Sequence, residues 1–247
     1  MENSFDDEDA SFYREAIGGL NERGVRFVVG GAFAVHHYTG CWRNTHDMDV
    51  YTTPEQVEDA KRALNSAGFR DIGEQAEGDR QWIYHASRGQ VIVDVIWRFA
   101  NLINYVTPDW FERAPEGTFV GTDVMFLPLE ELVWVKVFVI NRHRCDWPDI
   151  LRILKAQCSK LDWDRVIELL GENWPLMSGL VDVFDWQYPA CRDCVPERIR
   201  HEFAQRRETW RATSTDTERE GLLDPWLHLR IKNHEIWCDE QPHVGPA

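Results

Sequence analysis

Val25-Arg-Phe-Val-Val-Gly30-Gly31-Ala-Phe-Ala-Val-His-His-Tyr38-Thr-Gly-Cys-Trp-Arg43-Asn-Thr45-His-Asp47-Met-Asp49-Val-Tyr51 is the stretch that decides the fold. It opens on a β-rich run over 25–29, which Gly30-Gly31 stops abruptly. Residues 32–38 have helical composition, and Asp47–Tyr51 alternates between polar and apolar side chains as a half-buried strand does. The segment therefore reads strand, glycine turn, helix, strand. Upstream, 11–23 reads as a helix ended by Gly24. Downstream, Thr53-Pro54 opens a helix that runs to about Ser66 before Gly68, with proline at a first-turn position. Strands are expected at 81–85 and 90–97, joined by a hairpin turn at Ser87-Arg-Gly-Gln90, and a short strand at 124–127.

The character changes at Pro128. Helical signals follow at 129–142, 147–157, 162–170, 174–184 and 197–213, with a polar loop over 211–219 and a frayed end over 241–247. Strands first and helices after predict an α+β (mixed α/β) fold: a mixed sheet flanked by helices over 1–127, then a helical part with a polar tail over 128–247. The 129–142 segment is apolar almost all round, so it must be buried and the boundary must be soft.

The chain has 247 residues, 43% hydrophobic and 28% charged, with 27 basic against 42 acidic side chains and a net charge of −15. That is the balance of a globular protein, and a field of that sign repels polyanions at a distance. No apolar run approaches the ~18 residues that span a bilayer. The acidic start Met1-Glu-Asn-Ser-Phe-Asp-Asp has no apolar core of a secretory signal. Six scattered cysteines suit a reducing compartment, and cytoplasmic localisation is expected. Twelve tryptophans crowd the second half, suggesting helices packed through aromatic anchors.

Asp47 and Asp49, two apart on a strand, put both carboxylates on one sheet face, where like charges raise each other's pKa unless a cation intervenes. Asp94 interrupts Val91-Ile-Val-Asp-Val-Ile96, otherwise a buried strand, where an unpaired carboxylate is costly. Three carboxylates on neighbouring strands make a hard oxygen site for Mg²⁺ or Mn²⁺. The bland alternatives are a solvated strand end for the pair and a salt bridge from Asp94 to Arg43 or Arg98. Gly30-Gly31, between strand and helix, lets backbone N–H groups converge on a phosphate, although a plain turn would look the same. Together these are the parts for metal-assisted phosphoryl or nucleotidyl transfer.

The run from Val28 to Val50 resembles the signature of the nucleotidyltransferase superfamily, in which a Gly-Gly or Gly-Ser turn leads through a helix to Arg-x-Thr and then Asp-x-Asp. Its spacing is similar to the toxin-like branch of the AbiEii type. Leu132-Val-Trp-Val-Lys136-Val-Phe-Val-Ile-Asn-Arg-His-Arg-Cys-Asp-Trp-Pro-Asp149 resembles that branch's helix pair. The resemblance covers about residues 20–190. It implies that Gly30 and Gly31 cradle phosphate, that Asp47, Asp49 and Asp94 hold the metal, that Lys136 reaches a nucleotide phosphate, and that Asp149 is the acid of the helical half. Arg43 and Thr45 fall in the nucleotide-binding stretch. Gly31 stands where the superfamily often has Ser, so a hydroxyl contact to phosphate is missing. An NTP is the implied substrate, and the acceptor hydroxyl belongs to a tRNA end, a protein or a small molecule. A cognate antitoxin and a homo-oligomer stay open as partners. The competing readings are an inactive nucleotide-binding or partner-binding protein of the same fold, and a glycosyltransferase using Asp47-x-Asp49.

Lys136 sits on an apolar helical stripe, where it needs an anionic partner or snorkels to solvent. Asp146, before Trp147-Pro148, reads as an N-cap, and Asp149 as a first-turn acid. Arg142, His143 and Arg144, with Arg192, Arg198, Arg200, Arg206 and Arg207, would make a tRNA-contacting patch if they shared one face. One of His36 and His37 is expected in the core. Cys191 and Cys194 with His234 and Cys238 have the ligand types, though only half the spacing, of a zinc site.

Overall fold

The computed structural model describes residues 6–43, 45, 47–73, 79–102, 104–141, 144–211 and 213–223. Helix α1 (Asp7–Glu22) starts earlier than expected, because the Asp6 side chain accepts the Asp9 N–H at 2.7 Å and caps it. Strand β1 shrinks to Val28–Val29, and α2 (Gly31–Thr39) begins directly at the second glycine. Strand β2 (Asp47–Tyr51) has the expected limits. A 3₁₀ turn at Pro54–Gln56 leads into α3 (Val57–Ser66), followed by β3 (Arg70–Asp71). Strands β4 (Ile83–Arg88) and β5 (Val91–Ile96) form the expected hairpin, with Gly89 at a φ of 61° in its turn.

The five strands lie in the order β1-β2-β5-β4-β3. Only β2 and β5 run parallel, so the sheet is mixed. Register separates its two faces. Met48 and Val50 pair with Val93 and Val95, and all four are fully buried. Helices α1 and α3 pack on each other and on β5. The opposite face carries Asp47, Asp49 and Tyr51 beside Ile92, Asp94 and Ile96.

Helix α4 (Asp109–Arg113) and the hairpin β6 (Glu116–Phe119) and β7 (Thr122–Met125) follow. The helical part comprises α5 (Leu129–Val137), α6 (Trp147–Gln157), α7 (Trp163–Leu170), α8 (Trp174–Gln187), α9 (Glu197–Thr209) and α10 (Asp216–Leu223). Helix α5 is buried as expected but ends early. The chain turns back on itself, with the Asn141 side chain accepting the Arg144 N–H at 2.9 Å and Ile140 bridging to Cys145. The polar stretch expected as a loop instead enters α10. Its start is a reciprocal cap, in which the Thr215 hydroxyl accepts from Glu218 N–H at 3.3 Å and Glu218 accepts from Thr215 N–H at 2.7 Å. One hydrophobic cluster runs from Tyr13 to Leu222, and α2 packs on α5 and α6. The compositional change at Pro128 therefore crosses a shared core. Among the described residues no helix is long and apolar enough to cross a membrane. Residues 241–247 lie outside the described ones.

Candidate active site

The parallel register sets Asp49 beside Asp94, and the antiparallel one sets His85 beside Asp94 on the other side. All three side chains rise from the same sheet face into a cavity of about 360 Å³. His85 Nδ1 lies 2.7 Å from Asp94 Oδ1, so the neighbour of Asp94 is this histidine rather than Arg43 or Arg98. Nothing in the spacing announced His85, since a register pair becomes visible only when strands are aligned.

Gly31 closes the cavity at the N-terminus of α2, with Gly30 directly before it. The Gly30 N–H donates to the Asp49 carbonyl at 2.8 Å. A Cβ on Gly30 would lie 2.3 Å from the Tyr51 ring, and one on Gly31 1.6 Å from Asp49 Oδ2. Gly31 also has a φ of 55°. Both glycines are thus demanded by what packs over them. The serine common at the second position elsewhere would collide here with the Asp49 carboxylate.

Burial, together with the neighbouring Asp94 and in lesser measure Asp47, pushes the Asp49 carboxyl up to about 7, although Arg144 and Lys136 pull the other way. Asp47 sits two residues back on the same face, exposed at the strand's start, with its N–H donating to the Thr45 hydroxyl at 3.2 Å. It is not among the residues lining the cavity. Among the described residues no group of three His, Cys, Asp or Glu side chains already forms a metal cage. Asp49 and Asp94 nevertheless suit a hard divalent cation: two carboxylates share one face, and desolvation together with the charge of Asp94 holds the Asp49 carboxyl up.

On the facing wall, Lys136 is buried, and its ammonium donates to Asp146 Oδ2 at 2.8 Å and Asp149 Oδ2 at 2.9 Å. It does not snorkel. Asp146 occupies the position before α6 expected of a cap, but its side chain makes no capping bond. It is held by Lys136 and, through both oxygens, by Arg144 at 2.8 and 2.9 Å. A buried ammonium outcompetes a helix-end N–H for a carboxylate, because leaving the cation unpaired costs more. Burial would raise the Asp146 carboxyl, yet Lys136 and Arg144 outweigh it and bring it down to about 2. The Arg144 side chain is 61% exposed and lines the cavity. Arg43 is exposed near Thr45.

The remaining wall is apolar. Trp82, Ile83 and Ile96 come from the β4–β5 side, Phe99 and Phe138 from flanking turns, and Leu222 and Leu223 from α10. Leu102, at a φ of 61°, accepts from Arg98 Nη2 at 2.5 Å and closes the loop carrying Ala100 and Asn101. A larger hollow of about 670 Å³, lined by Arg26, Phe111, Glu116 and Met125, lies away from these acids, and there Arg26 stacks on Phe111.

The later arginines do not form a free basic face. Arg192 and Arg200 pair with Asp185, Arg198 with Asp164, Arg206 with Glu202 and Arg207 with Asp182. Arg142 and His143 lie outside the described residues. His37 stacks on Phe126 at 4.2 Å between centroids, and burial lowers its pKa, but both His36 and His37 are only partly buried at the edge of the core rather than within it. Cys191 and Cys194 are partly buried beside the core, while His234 and Cys238 lie outside the described residues.

A family model described as an uncharacterised nucleotidyltransferase matches residues 13–173, and the chain belongs to that family. None of the curated proteins matches it. Among solved structures, the chain is similar to the antibiotic-resistance factor ANT(2'')-Ia in solution, at 16% identity and a TM-score of 0.44, over 80% of this chain and 100% of that one. The lincomycin-bound lincosamide antibiotic adenylyltransferase LnuA follows at 14% and 0.43, over 61% and 98%. JHP933 from Helicobacter pylori matches at 12% and 0.42, over 81% and 97%.

Proposed function

We propose that the protein transfers a nucleoside monophosphate from an NTP to the hydroxyl of a small molecule. The observation that carries this reading is the register pairing of Asp49 with Asp94 directly against the Gly30-Gly31 helix start, at one end of a single cavity. Asp49 and Asp94, with Asp47 swinging in from the strand end, are the residues that would hold Mg²⁺ or Mn²⁺. Bound there, the ion would neutralise phosphate oxygens and draw charge onto the leaving pyrophosphate.

The chain's own groups then have separate tasks. The N–H groups at the start of α2 face the phosphate oxygens. Lys136 keeps one N–H beyond its two carboxylates, and the exposed edge of Arg144 adds a second cation. Arg43 approaches from the solvent side, Thr45 steadies the start of β2, and Asp149 acts by anchoring Lys136. The acceptor oxygen forms a bond to the α-phosphorus while the bond from that phosphorus to the bridging oxygen of the β-phosphate breaks. Pyrophosphate leaves with the electron pair. The hydroxyl proton passes to the Asp94 carboxylate, whose other oxygen His85 holds.

The pairing of Arg192, Arg198, Arg200, Arg206 and Arg207 with acids weighs against tRNA as the acceptor, as does the charge of −15. Kinship with the AbiEii-type toxins rests on motif spacing alone, and a cognate antitoxin or a homo-oligomer stays open as a partner; the cytoplasmic reading rests on the scattered cysteines. The test is incubation with each α-labelled NTP and Mg²⁺, supplying in turn a pool of small hydroxylated metabolites and total tRNA. Label in the small-molecule fraction with pyrophosphate release supports the reading. Label confined to tRNA, or none with any acceptor despite NTP binding, overturns it.

A further inference from the structure

Asp47, Asp49 and Tyr51 alternate along one face of β2, so a third polar side chain follows the two acids. The Tyr51 ring lies against the start of α2. A Cβ on Gly30 would fall 2.3 Å from Cε2 of this ring and 3.4 Å from Cζ, the carbon that bears the hydroxyl. The phenol oxygen, one bond further on, is therefore set beside the glycine turn. The ring also packs on Trp110 of α4, at 5.9 Å between centroids, which fixes its direction. Tyr51 is only 8% exposed and lines the cavity.

Its hydroxyl makes no hydrogen bond to any described residue, yet it is not among the polar atoms sealed from water. A tyrosine buried to this degree normally finds a partner for its O–H. The charged groups it feels, in falling order, are Asp49, Arg144, Asp146 and Asp94. Around the turn itself the chain offers donors. The start of α2 has no side-chain cap on its N–H groups, and the Arg144 side chain is 61% exposed. Guanidinium and backbone N–H groups cannot accept, so what joins them to a phenol O–H is an acceptor-rich anion. Phosphate oxygens have that chemistry.

We propose that Tyr51 is a further substrate-contacting residue, whose hydroxyl donates to a phosphate oxygen held between the start of α2 and Arg144. That this phosphate belongs to an NTP rests on the transferase reading; the phosphate contact does not. Gly31 has no side chain, and the Asp49 carboxylate fills the space where one would stand. The turn by itself therefore supplies only backbone donors, and the hydroxyl comes from the neighbouring strand. The same arrangement accounts for Gly30, because any side chain there would push the Tyr51 ring away from the turn.

The test compares the full chain with Tyr51→Phe, which removes the hydroxyl and keeps the ring that packs on Gly30 and Trp110. Calorimetric titration is made with inorganic tripolyphosphate and with nonhydrolysable NTP analogues, each with Mg²⁺. Mn²⁺ affinity without any phosphate is read by EPR. Tyr51→Phe should weaken tripolyphosphate and the best-bound NTP analogue by the same factor, about tenfold, as expected for a hydrogen bond to a charged group. Its Mn²⁺ affinity should not change. In wild type carrying ¹³Cζ-labelled tyrosine, the resonance that Tyr51→Phe lacks should move as tripolyphosphate is added. No tripolyphosphate binding by wild type, or equal binding by both proteins, overturns the proposal. A loss confined to the NTP analogue also overturns it, by assigning the hydroxyl to the base or ribose. So does a parallel loss of Mn²⁺ affinity, which would mean that Tyr51 acts through Asp49. If the tripolyphosphate contrast holds but wild type transfers no nucleotide, the transferase reading falls and the phosphate contact stands. If wild type transfers nucleotide and Tyr51→Phe binds phosphate as well as it does, the contact falls and the reading stands.

Discussion

Asp49 and Asp146 line the same cavity, the first partly and the second almost wholly out of water, yet their carboxyls are driven in opposite directions, to about 7 and to about 2. The difference lies in their neighbours. Asp146 has Lys136 on one side and a two-pronged Arg144 on the other. Asp49 has Asp94 across the strand and feels the two cations only at a distance. One wall of the cavity is therefore electrically complete, while on the sheet floor opposite two carboxylates share the single His85 contact. A complete network holds structure, and an incomplete one is where a cation and its phosphates gain most.

Asp49→Asn should separate the two most sharply. Transfer should fall by on the order of 10²–10³ or more, the loss expected when a stabiliser of transition-state charge is removed. The melting temperature of the metal-free protein at pH 8 should stay level or rise, since the amide removes a charge the fold holds at a cost. A parallel loss of activity and melting temperature would make Asp49 a structural acid.

Lys136→Met should do the reverse. It leaves Asp146 and Asp149 buried without their ammonium, so unfolding in urea should show a loss of about 3–5 kcal/mol. A stable variant with weakened NTP affinity would instead restore the simpler expectation of a lysine dedicated to phosphate.

The pH dependence of stability sharpens the comparison from the side of Asp146. Its folded value lies below the ordinary 3.8, so the unfolded chain binds this proton more tightly. The contribution is complete above about pH 4 and is lost as pH falls toward 2, by on the order of 2 kcal/mol. Denaturation followed across that window in wild type and Asp146→Asn checks it, because the variant should lack this part of the acid loss.

The smallest effect belongs to α10. Thr215→Ala removes one half of the reciprocal cap and should destabilise that helix by about 1 kcal/mol. The change should appear as faster amide exchange over 216–223, with the sheet unaffected.

Much of this was legible in the residues. The alternation of Asp47–Tyr51 fixed β2, and proline near the start marked α6. Asp94 stood out because a carboxylate interrupts an apolar strand. The sequence was silent where partners come from afar. Helix α5 looked longer than it is because Phe138 and Val139 continue its apolar character into a turn that Asn141 and Arg144 close. Strand β6 (Glu-Gly-Thr-Phe) has no apolar alternation and exists through its pairing with β7. The Thr215-x-x-Glu218 capping signature was present in a stretch whose polarity suggested a loop. His85 needed strand register to be seen at all.

The most direct measurement is Mn²⁺ uptake, followed by the loss of the free-ion EPR signal, in the presence of a nonhydrolysable NTP. Wild type should bind the ion, Asp49→Asn should fail to, and Asp146→Asn, where it remains folded, should retain it. Equal uptake by wild type and Asp49→Asn would contradict the claim that the sheet floor is the wall short of a cation.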